Sequence, residues 1–150
     1  MTLKKRSIFL LVIIVFAFDH LFAQEKNVQY GYASYYSDAF QGRRTTSGER
    51  YNKVLYTAAH ATLPLHTLVK VINLKNNDSV IVMINDRCAR NRYNMIDLSK
   101  AAAKKLDIIS SGIAKVKFEI LSPSDMNIIG NAPDSLFMVI PKDTTLLKSK

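Results

Sequence analysis

Four stretches of the chain either alternate hydrophobic with polar or small side chains or are rich in β-branched residues. Such stretches, bounded by Gly, Pro, Asn, Asp or Ser, are typical of β-strands. The predicted strands are GYASYYS (31–37), LVKVINL (68–74), SVIVMIN (79–85) and AKVKFEIL (114–121). The polar run KNND separates the second strand from the third and predicts the turn of a hairpin.

A single clear helix is predicted between the hairpin and the last strand. Ser99 is a favourable N-cap, and the helix-forming run KAAAKKLDII follows it over 100–109. Asp97, just before that cap, is expected to accept hydrogen bonds from the backbone at the helix start. The order of the elements predicts a small domain dominated by strands, a closed barrel with one or two short helices.

Residues 1–23 have the layout of a secretory signal peptide, with a basic start, an apolar run over 8–18 and a small residue, Ala23, at the cut. A retained membrane anchor is the alternative, but this run is shorter than the roughly 20 residues that a span needs. The sequence therefore predicts export to the periplasm or cell envelope, with 24–29 as a short lead. No cysteine lies near the cut, so no lipid anchor is expected there.

The pattern changes at Ser122. The run SPSDMNIIGNAPDS contains prolines, glycine and asparagine and is typical of a linker or surface loop. SLFMVIP (135–141) is either an added strand or an apolar patch in a loose tail. We therefore expect one folded domain over 30–121 and a loosely ordered tail over 122–150.

The net charge and the predicted export narrow the choice of binding partners. The formal net charge of +9 suits an anionic partner, such as a cell-wall polymer or a membrane surface. Nucleic acid is not an expected partner, because the protein is predicted to be exported and carries no basic-aromatic RNA-binding signature.

With one cysteine, Cys88, no internal disulfide is expected. Cys88 is interpreted as a packed side chain, with a reactive thiol as the alternative.

Three polar residues are candidates for glycan chemistry. Asp86 directly follows an apolar strand, Glu49 lies in a glycine-containing loop, and His60 follows two alanines. A carboxylic acid that protonates a glycosidic oxygen near neutral pH needs a raised pKa, and the rim of a barrel is expected to supply this at Asp86. Acids after strands are usually turn residues or N-caps, so these residues by themselves leave catalysis open.

Five segments together resemble the rare lipoprotein A (RlpA) family, in that family's order and spacing. They are GYASYYSDAFQGRRTTSGERYN, LYTAAHATLPLHTLVKVINL, VIVMINDRCAR, IDLSKAAAKKL and GIAKVKFEIL. The resemblance covers nearly the whole predicted core. It implies a mainly β fold, a six-stranded double-psi β-barrel like that of barwin and expansin domains.

The resemblance also implies an endolytic peptidoglycan transglycosylase, often septal, acting in cell-wall remodelling or daughter-cell separation. Such an enzyme cleaves between N-acetylmuramic acid and N-acetylglucosamine and leaves a 1,6-anhydro end. By motif, the implied catalytic residues are Asp86 as general acid/base, Glu49 as the carboxylate that tunes it or binds sugar, and His60 as a hydrogen-bonding partner. The expected substrate-binding residues are Asn52, Arg87, Arg44 and Tyr36.

Three positions depart from the family pattern. Asn52 stands where an aspartate is usual, Cys88-Ala89 replaces Gly-Pro after NDR, and His66 stands where glycine is common. The first two favour an alternative function, a non-catalytic peptidoglycan-binding or expansin-like wall-loosening module. A secreted structural or inhibitor-like barwin relative is the third alternative.

The expected partners are peptidoglycan glycan strands, with envelope or divisome proteins as further candidates, and the protein is expected to be a monomer. No cofactor is expected. No metal is expected either, because His60 and His66 have no carboxylate or cysteine at metal-ligand spacing.

Overall fold

The computed structural model describes residues 28–122 and residue 125. The predicted signal peptide, the first part of the lead and SLFMVIP lie outside the described residues, as does nearly all of the predicted tail. Within the part of the chain that is described, no helix is long and apolar enough to cross a membrane.

Six strands close into a barrel in the order β1-β5-β2-β4-β3-β6. They are β1 (Val28–Tyr35), β2 (Thr57–His60), β3 (Leu68–Asn73), β4 (Ser79–Asp86), β5 (Met95–Leu98) and β6 (Ala114–Ile120). The four strands predicted from the pattern are confirmed as β1, β3, β4 and β6. The first of them begins at Val28, so the end of the predicted lead belongs to β1.

Two of the six pairings are parallel, β1 with β5 and β2 with β4, and the other four are antiparallel. The register of β2 on β4 shifts between Ala58 and Ala59, and this shift sets Ala59 opposite Asp86. An irregularity of this kind bends a strand and redirects its side chains. The ends of β2 and β4 therefore meet at one rim of the barrel.

The interior of the barrel is filled by β-branched and aromatic side chains. Val69, Val71, Val82, Ile84 and Phe118 are fully buried there. Inward positions alternate along β3 and β6, as period-two strands require. The described core is held by packing and hydrogen bonds, and the Cys88 thiol is free.

The helix α1 (Lys100–Lys105) begins as predicted but ends early. Ser99 is its N-cap, and the Ser99 side chain accepts a hydrogen bond from the Ala102 N–H. The predicted end at residue 109 is wrong, because Asp107 adopts a left-handed backbone conformation with φ of 55°. That turn breaks the helix and leads the chain to Ile108, which is buried in the core.

The expected role of Asp97 at the helix start is wrong. Asp97 lies in β5, and its carboxylate accepts a hydrogen bond from the Ser34 hydroxyl on β1. This contact ties the two parallel strands together on the outer face of the barrel. A short 3-10 turn, Asp38–Phe40, follows β1 and opens the long loop that leads to β2.

Candidate active site

Asp86 ends β4 at the barrel rim, and four donors hold its carboxylate. Oδ1 accepts hydrogen bonds from the Thr46 backbone N–H at 2.9 Å, the Thr46 hydroxyl at 2.7 Å and the Arg87 N–H at 2.8 Å. Oδ2 accepts one from the Tyr36 hydroxyl at 2.9 Å. Because these donors come from three separate segments, the side chain has one well-defined orientation.

The expected raised pKa of Asp86 is wrong. Partial burial by itself raises the pKa of this carboxyl, but the hydrogen bonds from Thr46, the Arg87 N–H and Tyr36 outweigh burial. The pKa is therefore held below its ordinary value of 3.8. Donors that point at a carboxylate favour its charged form. Asp86 is thus ionised near neutral pH, which suits a base or a stabiliser of positive charge.

Glu49 reaches the same rim from the loop between β1 and β2. The loop folds back on itself, because the Thr45 N–H donates to the Glu49 carbonyl at 2.8 Å and Gly48 adopts a φ of 91° in the turn between them. Asn85, buried in β4, then fixes the loop twice. Its carbonyl accepts the Ser47 N–H at 3.0 Å, and its amide donates to Glu49 Oε2 at 2.8 Å.

The two predicted carboxylates are therefore brought to neighbouring positions of one strand end. Asp86 is carried by β4 itself, and Glu49 is held by the preceding residue, Asn85. Glu49 Oε2 accepts this one hydrogen bond, and within the described residues its Oε1 has none.

His60 is buried, and its ring contacts neither carboxylate. Nδ1 accepts hydrogen bonds from the Leu63 N–H at 3.1 Å and the Thr62 N–H at 3.3 Å, and Nε2 lies 3.2 Å from Asn94 Oδ1. Since Nδ1 accepts, the proton sits on Nε2 and is donated to Asn94. Burial lowers the pKa of His60, so the ring is neutral near pH 7.

The hydrogen bonds of the His60 ring therefore go to Asn94 and to the backbone, and not to either carboxylate. The ring packs edge-on against Phe118 with centroids 5.6 Å apart. A link to the rim runs through the backbone, since Arg87 Nη1 donates to the His60 carbonyl at 3.3 Å. These contacts support the end of β2, and the implied part of His60 in catalysis stays a prediction.

Tyr36 contacts Asp86 directly. Besides its hydrogen bond to Oδ2, its ring packs against Phe40 and Tyr51, with centroids 5.4 and 4.8 Å away. Burial, the hydrogen bond to Asp86 and the charge of Asp86 all raise the pKa of Tyr36. The hydroxyl therefore stays protonated and remains a donor to Asp86.

Of the other predicted binding residues, Arg87 contacts the strand ends at the rim, whereas Asn52 and Arg44 make their contacts within the loop. Arg87 Nη1 also donates to the Asp86 carbonyl, which makes the guanidinium a clamp between β2 and β4. Asn52 stabilises a turn, because its Oδ1 accepts the Val54 N–H at 3.2 Å. Arg44 is exposed on the folded-back loop and pairs with Arg50 across it. Neither Asn52 nor Arg44 contacts the two carboxylates.

Sequence reasoning missed Thr46, Asn85 and Asn94, which hold Asp86, Glu49 and His60 respectively. Only Asn85 gave a usable signal, because a polar residue inside an otherwise apolar strand needs a buried partner.

Cys88 is half-buried beside this rim, and its thiol donates to the Met95 carbonyl at 3.7 Å. Burial and the charge of Asp97 raise the pKa of Cys88 to about 11, so it is a protonated, packed thiol.

Comparison with protein families gives one matching model, described as lytic transglycolase, over residues 28–118. The endolytic peptidoglycan transglycosylase RlpA of Neisseria meningitidis serogroup B is 50% identical over 95 residues, 63% of this chain and 40% of that protein. The protein of the same name from Pasteurella multocida is 43% identical over 113 residues, 75% of this chain and 38% of the relative. The chain thus spans about two fifths of the length of these relatives.

Solved structures share the barrel. A Streptomyces papain inhibitor matches with a TM-score of 0.53 at 21% identity, covering 65% of this chain and 98% of that one. The apo expansin of Clavibacter michiganensis gives a TM-score of 0.53 at 20% identity, with 64% and 51% covered. These likenesses concern the fold and confirm the predicted six-stranded double-psi β-barrel. Since the family model covers more than half of the sequence, the chain belongs to the lytic transglycolase family.

Proposed function

We propose that this chain is an exported endolytic transglycosylase that cleaves peptidoglycan between N-acetylmuramic acid and N-acetylglucosamine, leaving 1,6-anhydro ends. The observation that carries the proposal is the pair of carboxylates at the end of β4, Asp86 under four hydrogen bonds and Glu49 fixed through Asn85. The activity for which the relatives are named supports the same reaction. Its proposed role is cell-wall remodelling or daughter-cell separation in the periplasm or envelope.

The proposed reaction consumes no water and leaves the proton count unchanged. The C6 hydroxyl of the muramyl residue attacks its own C1, and a C1–O6 bond forms. The bond from C1 to the bridging oxygen breaks, and its electron pair stays on the departing N-acetylglucosamine. That oxygen needs a proton from an acid, and the C6 hydroxyl must give its proton to a base.

The hydrogen bonds support a division of these tasks between the two carboxylates. Asp86, ionised at rest, stabilises the positive charge that develops at C1 and then takes the C6 proton. Proton transfer to the leaving oxygen is assigned to Glu49, whose Oε1 accepts no hydrogen bond from a described residue, because Asp86 is ionised and has no proton to give. Both groups return to their starting states by exchange with water. This division replaces the expectation that Asp86 acts alone as acid and base.

A glycan-binding module that does not cut is the second candidate. It is favoured by Asn52, which stands where the resembling family has a carboxylate, and by the ionised state of Asp86, which leaves it no proton to donate. Asn52→Asp keeps the oxygen that accepts the Val54 N–H and adds a charge. Anhydro ends released only by Asn52→Asp would favour the binding module for the natural chain.

The deciding experiment incubates the purified protein with peptidoglycan sacculi and identifies the soluble products by mass spectrometry. We expect fragments with 1,6-anhydro ends. The control is the double variant Asp86→Asn, Glu49→Gln, which keeps the size of both side chains and removes both carboxylates. Protein that sediments with sacculi while the products match those of the double variant would support the binding module instead.

A further inference from the structure

A second concave surface lies on the outer face of the barrel, away from the two carboxylates. It is a cleft of about 410 Å³ between β1, the loop before β5 and the start of β6. Tyr30 and Tyr93 are 65% and 48% exposed in it. Tyr32 meets the edge of Tyr93 with ring centroids 5.8 Å apart. Single exposed tyrosines are ordinary on protein surfaces, but three adjoining rings around one cleft are a patch.

This patch continues along β1 towards the carboxylates. Successive side chains of a strand point to opposite faces, so Tyr30, Tyr32 and Ser34 share a face of β1 while Ala33 is buried in the core, and Tyr36 follows the last residue of the strand. The four steps from Tyr32 to Tyr36 span at most about 13 Å, at roughly 3.3 Å each. A few sugar rings of an extended glycan strand cover that distance.

The face between the tyrosines is polar and fixed. The Ser34 hydroxyl and the Asp97 carboxylate, hydrogen-bonded to each other, lie between Tyr32 and Tyr36 and offer oxygens that sugar hydroxyls can meet. The cleft floor is equally fixed, because a Cβ on Gly31 would lie only 2.1 Å from the Asn94 carbonyl oxygen. Such a close approach of two backbones presents the aromatic rings on a rigid base.

Positive charges flank the rings. The Arg92 guanidinium lies over Tyr93, 4.7 Å from the ring centroid. Lys115 lies opposite Tyr32 on β6, is exposed, and has no ion-pair partner in the described residues. Lys117, next along the same face, is already paired with Glu119 at 3.0 Å. The cleft thus combines aromatic rings with two cations that form no ion pair among the described residues, which complements a sugar polymer that carries carboxylates.

We infer that these residues, Tyr30, Tyr32, Tyr93, Arg92 and Lys115, form a tyrosine strip that binds the peptidoglycan strand several sugars away from the cleavage point. The rings pack on sugar faces, and Arg92 and Lys115 bind the carboxylates of the lactyl groups or stem peptides. The substrate class named here rests on the proposed function. The strip makes the protein favour long, anionic strands over short or neutral ones.

The test measures binding and turnover with paired variants. Tyr93→Ala removes a ring, while Tyr93→Phe keeps the ring under Arg92 and loses only the hydroxyl to which Arg92 Nη2 donates. Binding to long glycan strands, measured in the Asp86→Asn background to prevent turnover, should weaken about threefold to tenfold in Tyr93→Ala and much less in Tyr93→Phe. With intact carboxylates, Tyr93→Ala should raise KM by a similar factor and leave kcat unchanged, because the ring is remote from the reacting atoms.

The charge pair has its own control. Arg92→Gln with Lys115→Gln should weaken binding to peptidoglycan strands, and the loss should shrink at high salt. The same pair should bind uncharged N-acetylglucosamine oligomers as the wild type does. Lys104→Gln with Lys105→Gln, exposed on α1, removes equal charge elsewhere and should change binding less.

The outcomes separate the two proposals. Anhydro ends from the wild type, with unchanged KM and affinity in Tyr93→Ala, would overturn the strip and leave the proposed function standing. Binding that depends on Tyr93 without any anhydro product would support the strip and overturn the enzyme. If the Arg92/Lys115 and Lys104/Lys105 variants lose equal binding affinity, Arg92 and Lys115 act only through the net charge, and the cationic part of the strip is overturned.

Discussion

Asn85 joins the two candidate catalytic carboxylates, because its side-chain amide donates to Glu49 Oε2 at 2.8 Å while its own chain neighbour is Asp86. Asn85 is only 4% exposed, and its carbonyl also accepts the Ser47 N–H. One strand end therefore carries one carboxylate directly and holds the loop of the other. The geometry of the pair depends on this buried amide.

Asn85→Ala should consequently reduce turnover by more than its loss of folding stability explains. Loss of the hydrogen bond is expected to lower the free energy of unfolding by about 1–3 kcal/mol. Asn73→Ala is the matched control, because Asn73 is 3% exposed and donates to the Leu106 carbonyl at 2.9 Å far from the rim. Urea unfolding should give similar losses for both variants, with kcat reduced only in Asn85→Ala. Equal kcat values for the two would remove Asn85 from the site.

The carboxylates themselves should each be needed for turnover. Asp86→Asn and Glu49→Gln are both expected to slow release of anhydro products at least about a hundredfold, the usual scale of proton-transfer catalysis. Because the two groups act as one unit, the double variant should be little worse than the poorer single one. Mass spectrometry of timed digests gives the rates, and co-sedimentation with sacculi should show that binding persists. Full activity in either single variant would show that carboxyl to be misassigned.

The pH profile tests the proposed ionised state of Asp86. The working form is the carboxylate, and its pKa is held below 3.8 by the hydrogen bonds from Thr46, Arg87 and Tyr36, which outweigh burial. Activity that needs this form should be present above that pKa and lost as the pH falls through it. The acid limb of kcat/KM should therefore lie below about pH 3.8. An acid limb near neutral pH would contradict the role of Asp86 as base.

Tyr36→Phe should move that acid limb. The change removes the hydrogen bond to Asp86 Oδ2, so the carboxylate loses one stabilising donor and the limb shifts to higher pH. Above the limb the carboxylate is still ionised in Tyr36→Phe, so kcat on the plateau should change less than the position of the limb. Tyr35→Phe is the control, because the Tyr35 hydroxyl donates to the Ile109 carbonyl at 3.0 Å, not to Asp86. A shift of the limb in both variants would show an effect of general stability.

Much of the barrel was predictable because its longer strands carry their own pattern. β3, β4 and β6 show alternation or β-branched runs that end at polar residues. The strands β2 and β5 gave no such signal. The segment TAAH is buried at all four positions, and MIDL has only four residues, so neither shows a period. Only the family resemblance predicted that the barrel has six strands.

The site was predictable as a set of residues but not as a geometry. Asp86 and Glu49 do reach the same strand end, yet the state of Asp86 depends on Thr46, which lies 40 positions away along the chain. Such a contact follows from the closure of the barrel and from the fold of the loop, which no local pattern encodes. The same holds for His60, whose two ring nitrogens form hydrogen bonds with Asn94 and with two backbone N–H groups.

The burial of neutral His60 predicts how stability depends on pH. Burial lowers its folded-state pKa below the ordinary 6.5, and the charge of Arg87 adds to this, against the opposing effect of the hydrogen bond with Asn94. In the window between the folded pKa and 6.5, the unfolded chain binds more protons than the folded one. Stability should therefore be complete above pH 6.5 and decline as the pH falls through that window.

Urea midpoints at roughly pH 7.5 and pH 5 measure this decline while most carboxyl groups stay ionised. His60→Gln retains a side-chain oxygen as acceptor but cannot titrate, so it should be less stable at both values with a smaller difference between them. His66→Asn is the matched control, because His66 is exposed and its φ of 67° is a conformation that asparagine tolerates. That control should keep the full wild-type difference, since the proton that destabilises the fold binds at His60. If His66→Asn abolishes the decline and His60→Gln preserves it, the buried ring is not the group that titrates.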